Sequence, residues 1–358
     1  MDRVTKTMRR GVLLCCLFLT LPAFAQKPTF TVGWSIYAGW TPYHYMQKSG
    51  LLKKWADKYG ITIKVQRFDY APSLDAFVAR NIDACTMTNM EALDMPAASG
   101  VPTTVILIGD YSNGNDALLV RNGLQMKDLV GKKMLLVEKT VSEYLFDRAL
   151  TLNSLRDQIT KVRMINTSDS DIQSAFLSDS SVSAVVTWKP MVSQITQQKG
   201  IRSLFNSSQI PGEILDLTVV RTDVLQRPDG QKFAKALAGA WYEMMALMAS
   251  QGPAADKVLS SIAEGSGDTL SSYKEQLSTT KMFYQPQVAA SFGKSGDLKQ
   301  KMALVRQFCF DHGLLGKNIG SVDDVAIRYP DGSVQGKQDR VRLSFDTAYM
   351  QMAAESKL

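Results

Sequence analysis

Histidine is nearly missing from this chain: there are two in 358 residues, His44 and His312. Neither has a Ser, Asp or Cys partner at a recognisable catalytic spacing, and no nucleophile elbow is present. Acid–base or nucleophilic catalysis therefore has little to build with, and no enzyme activity and no cofactor are expected. Cysteine is almost as scarce. Of four, Cys15 and Cys16 lie in an apolar run near the start, leaving Cys85 and Cys309. These two either pair in an oxidising compartment or sit apart as small buried hydrophobes, and the second reading is preferred. No Cys-x-x-Cys or Cys/His spacing indicates a metal. No Lys/Arg stripe is interleaved with aromatic residues, so nucleic acid is not an expected partner. After the first 25 residues no apolar run is long enough to cross a bilayer.

The first residues read as a targeting segment. Arg3, Lys6, Arg9 and Arg10 form a basic region, Gly11 to Leu21 a short apolar run, and Ala23-Phe24-Ala25 a small-x-small cleavage site. Residues 1–25 are thus expected to be a signal peptide cut after Ala25, giving a soluble periplasmic protein. Leu14 before Cys15 is not the small residue a lipoprotein requires. Cleavage takes away four basic side chains and one acidic one, so the formal charge falls from +7 to +4, too mild to select a charged partner.

The remaining length exceeds one comfortable hydrophobic core and suggests two lobes. The stretch FTVGWSIYAGWTPYHYM, residues 30–46, reads as strand, aromatic loop, helix: Gly33 ends the strand and Pro42 suits a first helical turn. A helix over Tyr43–Tyr59 closed by Gly60, a strand at Ile61–Val65, a helix at Ser73–Ala79 capped by Ser73 and a strand at Ala84–Thr88 follow. Asn89 suits the cap of a helix over Glu91–Ala98, and a strand at Val101–Ile108 leads to a turn-rich loop, Gly109–Asp116. This alternation predicts a parallel sheet flanked by helices. A second such series starts near Ala117, with Ser142 capping a helix to Leu152. From Phe233 onward the pattern is mostly helical.

The segments GWSIYAGWTPY, TMTNMEALDMPAASGV, GDYSNGNDALLV and SQIPGEILDLTVV, with TTKMFY and FDTAYMQMA, resemble one group of periplasmic solute-binding proteins of ABC importers. This is the nitrate-, sulfonate- and taurine-type group, and within it the subfamily encoded with urea carboxylase and guanidine carboxylase. The resemblance spans essentially the whole chain after residue 25. It implies an α/β, two-lobe clamshell, each lobe a mainly parallel sheet flanked by helices. Lobe 1 would comprise residues 26–115 and 216–358, lobe 2 residues 116–215, with hinge crossings near 113–117 and 211–216 beside Gly114 and Gly212. It also implies a monomer that binds urea or guanidine and delivers it to permease subunits in the inner membrane.

In open α/β sheets ligands lie against the loops at the carboxyl ends of strands. Those loops carry Trp34, Tyr37, Trp40, Asn89, Glu91, Asp110, Asn113, Asn115, Asp116, Glu138, Glu143, Trp188, Glu213 and Asp216, with only Lys139 and Lys189 as cations. A sulfonate or nitrate site is expected to offer arginine or helix N-termini clear of acids. Rings and carboxylates suit a flat cation, because guanidinium stacks on aromatic faces and presents paired N–H groups to carboxylates. Urea needs the same slot plus a donor for its carbonyl, which Asn89 or the Trp34 indole could supply. The expected ligand-binding set is Trp34, Tyr37, Asn89, Asp110, Asn115, Glu143, Trp188 and Glu213. A sulfonate, nitrate or small amine is the alternative ligand. The two histidines, the methionines near Trp241 and the Asn-x-Ser triplets at Asn166 and Asn206 are read as carrying no function.

Overall fold

The computed structural model describes residues 27–358. The signal peptide expected at residues 1–25 lies outside the described residues. Two sheets with flanking helices make up the protein. The larger has nine strands: β1 (Thr29–Trp34), β2 (Thr62–Arg67), β3 (Ala84–Thr88), β4 (Thr103–Ser112), β10 (Leu215–Arg221), β11 (Thr280–Met282), β12 (Ala326–Arg328), β13 (Val334–Gln335) and β14 (Val341–Phe345). Its order is β13-β12-β14-β4-β10-β3-β1-β2, with β11 on β4. The smaller sheet has five strands in the order β7-β6-β8-β5-β9. These are β5 (Ala117–Arg121), β6 (Lys133–Leu136), β7 (Arg163–Asn166), β8 (Val182–Thr187) and β9 (Ile201–Asn206).

Both sheets are mainly parallel, as expected, and the chain's two crossings explain the antiparallel strands β5 and β10 among them. The chain leaves the large sheet along β4 and opens the small one with β5, which runs antiparallel to both β8 and β9. It returns from β9 into β10, which runs antiparallel to both β3 and β4. The crossings are stitched together. The hydroxyls of Ser112 and Ser207 lie 2.6 Å apart, the Gly114 N–H donates to Ser207 Oγ at 2.7 Å, and the Asp116 N–H donates to Ser112 Oγ at 3.1 Å. Gly114 has φ +112°, a conformation L side chains rarely adopt, which is why glycine stands in that turn.

Several sequence expectations shift on local grounds. The helix expected over Tyr43–Tyr59 is two, α1 (Pro42–Lys48) and α2 (Leu51–Lys58), because Gly50 takes φ +81° between them. Helix α3 (Tyr70–Val78) starts three residues before Ser73, with Asp69 at its N-cap. The Ser73 hydroxyl instead turns back to donate to the Tyr70 carbonyl at 2.6 Å. The helix expected over Glu91–Ala98 is present but widened to a π-helix at Leu93–Ala97, which contains Pro96, and Asn89 does not cap it. Strand β4 runs on to Ser112, through the first half of the segment expected to be a loop, because β10 and β11 pair with it there. Helix α4 (Val141–Leu152) is capped by Thr140, not Ser142: Thr140 Oγ1 accepts the Ser142 N–H.

Cys85 and Cys309 are separate free thiols, both fully buried. Burial pushes the Cys85 thiol up to about 12, so it behaves as a small hydrophobe. No described helix is long and apolar enough to cross a membrane.

Glu213 lies just before β10 and is tied to α4 of the other sheet. Its carboxylate accepts from Tyr144 Oη at 2.6 Å, Arg148 Nε at 2.7 Å and Arg148 Nη2 at 3.1 Å. Arg148→Ala would leave a buried carboxylate without its counter-charge and is expected to cost about 3–5 kcal/mol. Urea denaturation of the two proteins measures it.

Candidate functional site

Three neighbouring strands set the floor of a cavity between the two sheets. In the ladders, Asp216 of β10 stands opposite Thr88 of β3 on one side and Asp110 of β4 on the other. Residues opposite one another across a sheet share a face, so this register puts two carboxyls side by side. A third, Asp116, arrives from the first crossing. The cavity is narrow and is lined by Tyr37, Trp40, Tyr70, Thr88, Asp116, Val141, Trp188, Ile214 and Asp216. No lysine, arginine or histidine is among them.

Four rings form a nearly continuous wall. Tyr37 and Trp40 have centroids 5.0 Å apart, Trp40 and Tyr70 5.3 Å, and Tyr70 and Trp188 5.8 Å at 74°. The loop after β1 is fastened so that its rings face this way. The Tyr37 carbonyl accepts the N–H groups of Trp40 and Thr41 and the Thr41 hydroxyl, and Tyr273 Oη donates to the Ala38 carbonyl at 2.8 Å. Gly39 lies against the Asp110 carboxyl, where a Cβ would overlap Oδ2. Trp188 closes the wall from the small sheet, its indole N–H donating to the Ile36 carbonyl at 3.3 Å.

The electrostatics are one-sided. Tyr37 Oη donates to Asp110 Oδ1 at 3.0 Å. Asp110 Oδ2 and Asp216 Oδ2 are buried and receive no hydrogen bond from a donor among the described residues, and neither does the Trp40 indole N–H find an acceptor. Burial pushes Asp110 up to about 7, offset in part by its neighbours Asp216 and Tyr37. Burial and the repulsion of Asp110 hold Asp216 well above the usual carboxylate range, so this pair shares a proton near neutrality. Asp116 is pushed up to about 7, again chiefly by burial. Burial and the same acids raise the Tyr37 phenol, which stays a donor. Among the described residues no group of three or more His, Cys, Asp or Glu side chains is arranged to hold a metal ion.

Of the residues expected from the sequence, Tyr37 and Trp188 line the cavity, and Asp110 stands directly behind Tyr37. The others lie elsewhere. Trp34 is in the core against His44, with centroids 6.1 Å apart. Asn89 is a structural clip, its amide donating to the Glu213 carbonyl at 3.0 Å and its oxygen accepting the Leu215 N–H at 3.0 Å. Asn115 bridges the crossing to Thr280 Oγ1 at 2.9 Å and the Lys189 N–H at 3.0 Å. Glu143 bonds the Lys139 N–H at the start of α4. Glu213 is consumed by Tyr144 and Arg148. Lys189 is held away by Glu275 and Thr279. Tyr70, Thr88, Val141 and Ile214 were not expected. Tyr70 follows the end of β2, so the strand-end rule that singled out Tyr37 reaches it too. Trp40, Asp116 and Asp216 were in the loop inventory but not in the expected set.

No protein-family model and no curated protein matches this chain. Solved structures do. The alkanesulfonate-binding protein SsuA from Xanthomonas axonopodis pv. citri, bound to MOPS, is 17% identical with a TM-score of 0.66, over 82% of this chain and 97% of that one. The periplasmic aliphatic sulphonate-binding protein SsuA from Escherichia coli is 18% identical with a TM-score of 0.64, over 82% and 96%. A ligand-binding component of an ABC-type import system from Staphylococcus aureus is 12% identical with a TM-score of 0.57, over 79% and 93%.

The aspartate row predicts a particular stability signature. A carboxyl whose folded pKa is raised favours the folded state most below its unfolded value near 4 and loses that contribution as pH rises through about 7. Asp116→Asn should therefore match the wild type at pH 4 and gain on it progressively up to pH 7. Thermal denaturation of the ligand-free proteins across that range checks it; a constant difference would remove Asp116 from the cluster. The chain has the α/β fold of these periplasmic binding proteins, with its two sheets closed over an acidic, ring-walled cavity.

Proposed function

We propose that this protein is the solute-binding component of an ABC importer, capturing guanidinium, or its neutral analogue urea, between its two lobes and presenting it to a membrane permease. The observation that carries this reading is the cavity wall itself: aromatic faces and buried aspartates with no cationic side chain among the lining residues. Guanidinium matches both parts. Its face would stack on indole and phenol rings, worth about 2 kcal/mol when desolvated, and its N–H edges would find in Asp216 a cavity-lining carboxyl with an oxygen that otherwise has no donor. A charge-assisted hydrogen bond of that kind contributes about 1.5–3 kcal/mol. Urea fits the same slot if one aspartate keeps its proton and donates to the carbonyl oxygen, which a pKa of about 7 permits.

A sulfonate is the second reading. It is favoured by the likeness to two structures described as sulfonate-binding proteins. At that level of identity the likeness speaks for the fold, and the ligand has to be argued from the site. An anion would meet Asp116 and Asp216 with no counter-charge in the wall.

A thermal-shift panel separates the two. A ligand at one hundred times its Kd stabilises by about 2.7 kcal/mol, several degrees in Tm. Guanidinium chloride at low millimolar concentration is expected to raise Tm, with sodium chloride as ionic control, and Asp216→Asn is expected to reduce the shift at least tenfold in apparent affinity. Taurine, nitrate and MOPS are expected to do nothing. Stabilisation by taurine or MOPS without stabilisation by guanidinium or urea would replace the first reading with the second.

A further inference from the structure

Helix α4 aims its N-terminus at the cavity from the small-sheet side, and its first residue, Val141, is part of the cavity wall. The N-terminus of a helix carries unsatisfied N–H groups and a partial positive charge, and is the usual protein device for receiving an anion. In this protein that device is already used. The Val141 N–H donates to Glu91 Oε1 at 2.7 Å, and Glu91 reaches it from the large-sheet side, fifty residues earlier in the chain. The other oxygen, Oε2, accepts from the hydroxyl of Thr88, a second wall residue. Glu91 is 0% exposed. Burial raises its pKa, which the bonds from Thr88 and the Val141 N–H oppose by favouring the ionised form, and the carboxyl joins a wall residue of the large sheet to one at the start of α4.

We propose that Glu91 is a built-in anion that determines specificity. It fills the N-terminus of α4, as Asp169 fills that of α3, whose first residue Tyr70 also lines the cavity, so the site excludes anionic ligands, and it couples closure of the two lobes to a site selective for neutral or cationic solutes. Three observations meet here. The carboxylate is bonded across the junction rather than within its own lobe. It stands close enough to Asp116 and Asp94 to raise both electrostatically, adding to the negative field of the cavity. And the wall offers an incoming anion no lysine, arginine or histidine in exchange. The inference goes beyond the guanidinium reading, since exclusion of anions by Glu91 holds for any uncharged or cationic ligand.

Removal and replacement of the carboxylate test it. Glu91→Ala leaves the Val141 N–H open and a space the size of a small carboxylate. At pH 5, where Asp110 and Asp116 hold their protons, sodium acetate at tens of millimolar is expected to raise the Tm of Glu91→Ala over a sodium chloride control. It should leave the wild type and Glu91→Gln unchanged, because Gln still accepts the Val141 N–H. An acetate effect equal in all three proteins, or absent from a folded Glu91→Ala, overturns the proposal. Should Glu91→Ala not fold, Glu91→Gln decides: it keeps the bond and loses the charge, so guanidinium affinity at pH 8 should fall about tenfold, and an unchanged affinity overturns the proposal. Acetate rescue of Glu91→Ala in a protein that does not bind guanidinium would leave the role of Glu91 standing and remove only the guanidinium reading.

Discussion

Carboxyl groups buried side by side with no basic partner are the constraint on which the rest of this structure turns. Asp110 and Asp216 are opposed across a β-ladder, the arrangement in which like charges destabilise a sheet. Asp116 is buried nearby. In a protein without a ligand such a cluster lowers stability unless the groups hold protons, and their raised pKa values show that response. Nothing about packing two sheets together requires this arrangement; Asn or Thr would fit the same ladder positions. The proposed guanidinium or urea ligand would bring the opposite charge or the hydrogen-bond donors that these acids lack.

The same acids explain how binding and closure can be one event. The cavity exists only while both sheets contribute to it: Tyr37, Trp40, Tyr70, Thr88 and Asp216 from one side, Asp116, Val141 and Trp188 from the other. The two halves are held together at the mouth by Trp188 to Ile36, by Asp169 to the Tyr70 N–H at 3.1 Å, and by Glu91 to Val141. A ligand that touches both walls has more contacts in the closed arrangement than in an open one. It shifts the population toward closure by that difference in affinity and no more. The Ser112–Ser207 contact and Gly114 lie at the crossings about which such a motion is proposed to turn.

Much of this was legible in the sequence, and what was not has a physical cause. The strand–aromatic loop–helix at the start of the first lobe could be read because hydrophobic alternation, Gly33 and Pro42 all agree locally. The predominance of acids over bases in strand-end loops was also readable, and the cavity wall repeats it. Individual residues were harder. Asn89 and Glu213 stand at strand ends like true ligand groups, but long-range partners claim them: Leu215 for the first, Arg148 for the second. No local pattern announces a partner 126 residues away. Asp216 was set aside because strand periodicity leaves its face undecided. Only pairing with β3 and β4 fixes which way it points. The antiparallel direction of β10 within a mainly parallel sheet is not legible for the same reason, since it depends on where the chain returns from the small sheet.

The central claim is that these aspartates are neutral by default and ionise for the ligand. Calorimetric titration with guanidinium at pH 7 in two buffers of different ionisation enthalpy tests it most directly. A cation that draws charge from carboxyls with pKa near 7 must release protons on binding, so the observed heat should change with the buffer in the sense of proton release. Guanidinium binding with no net proton exchange, or proton uptake accompanying a sulfonate in place of guanidinium, would contradict it.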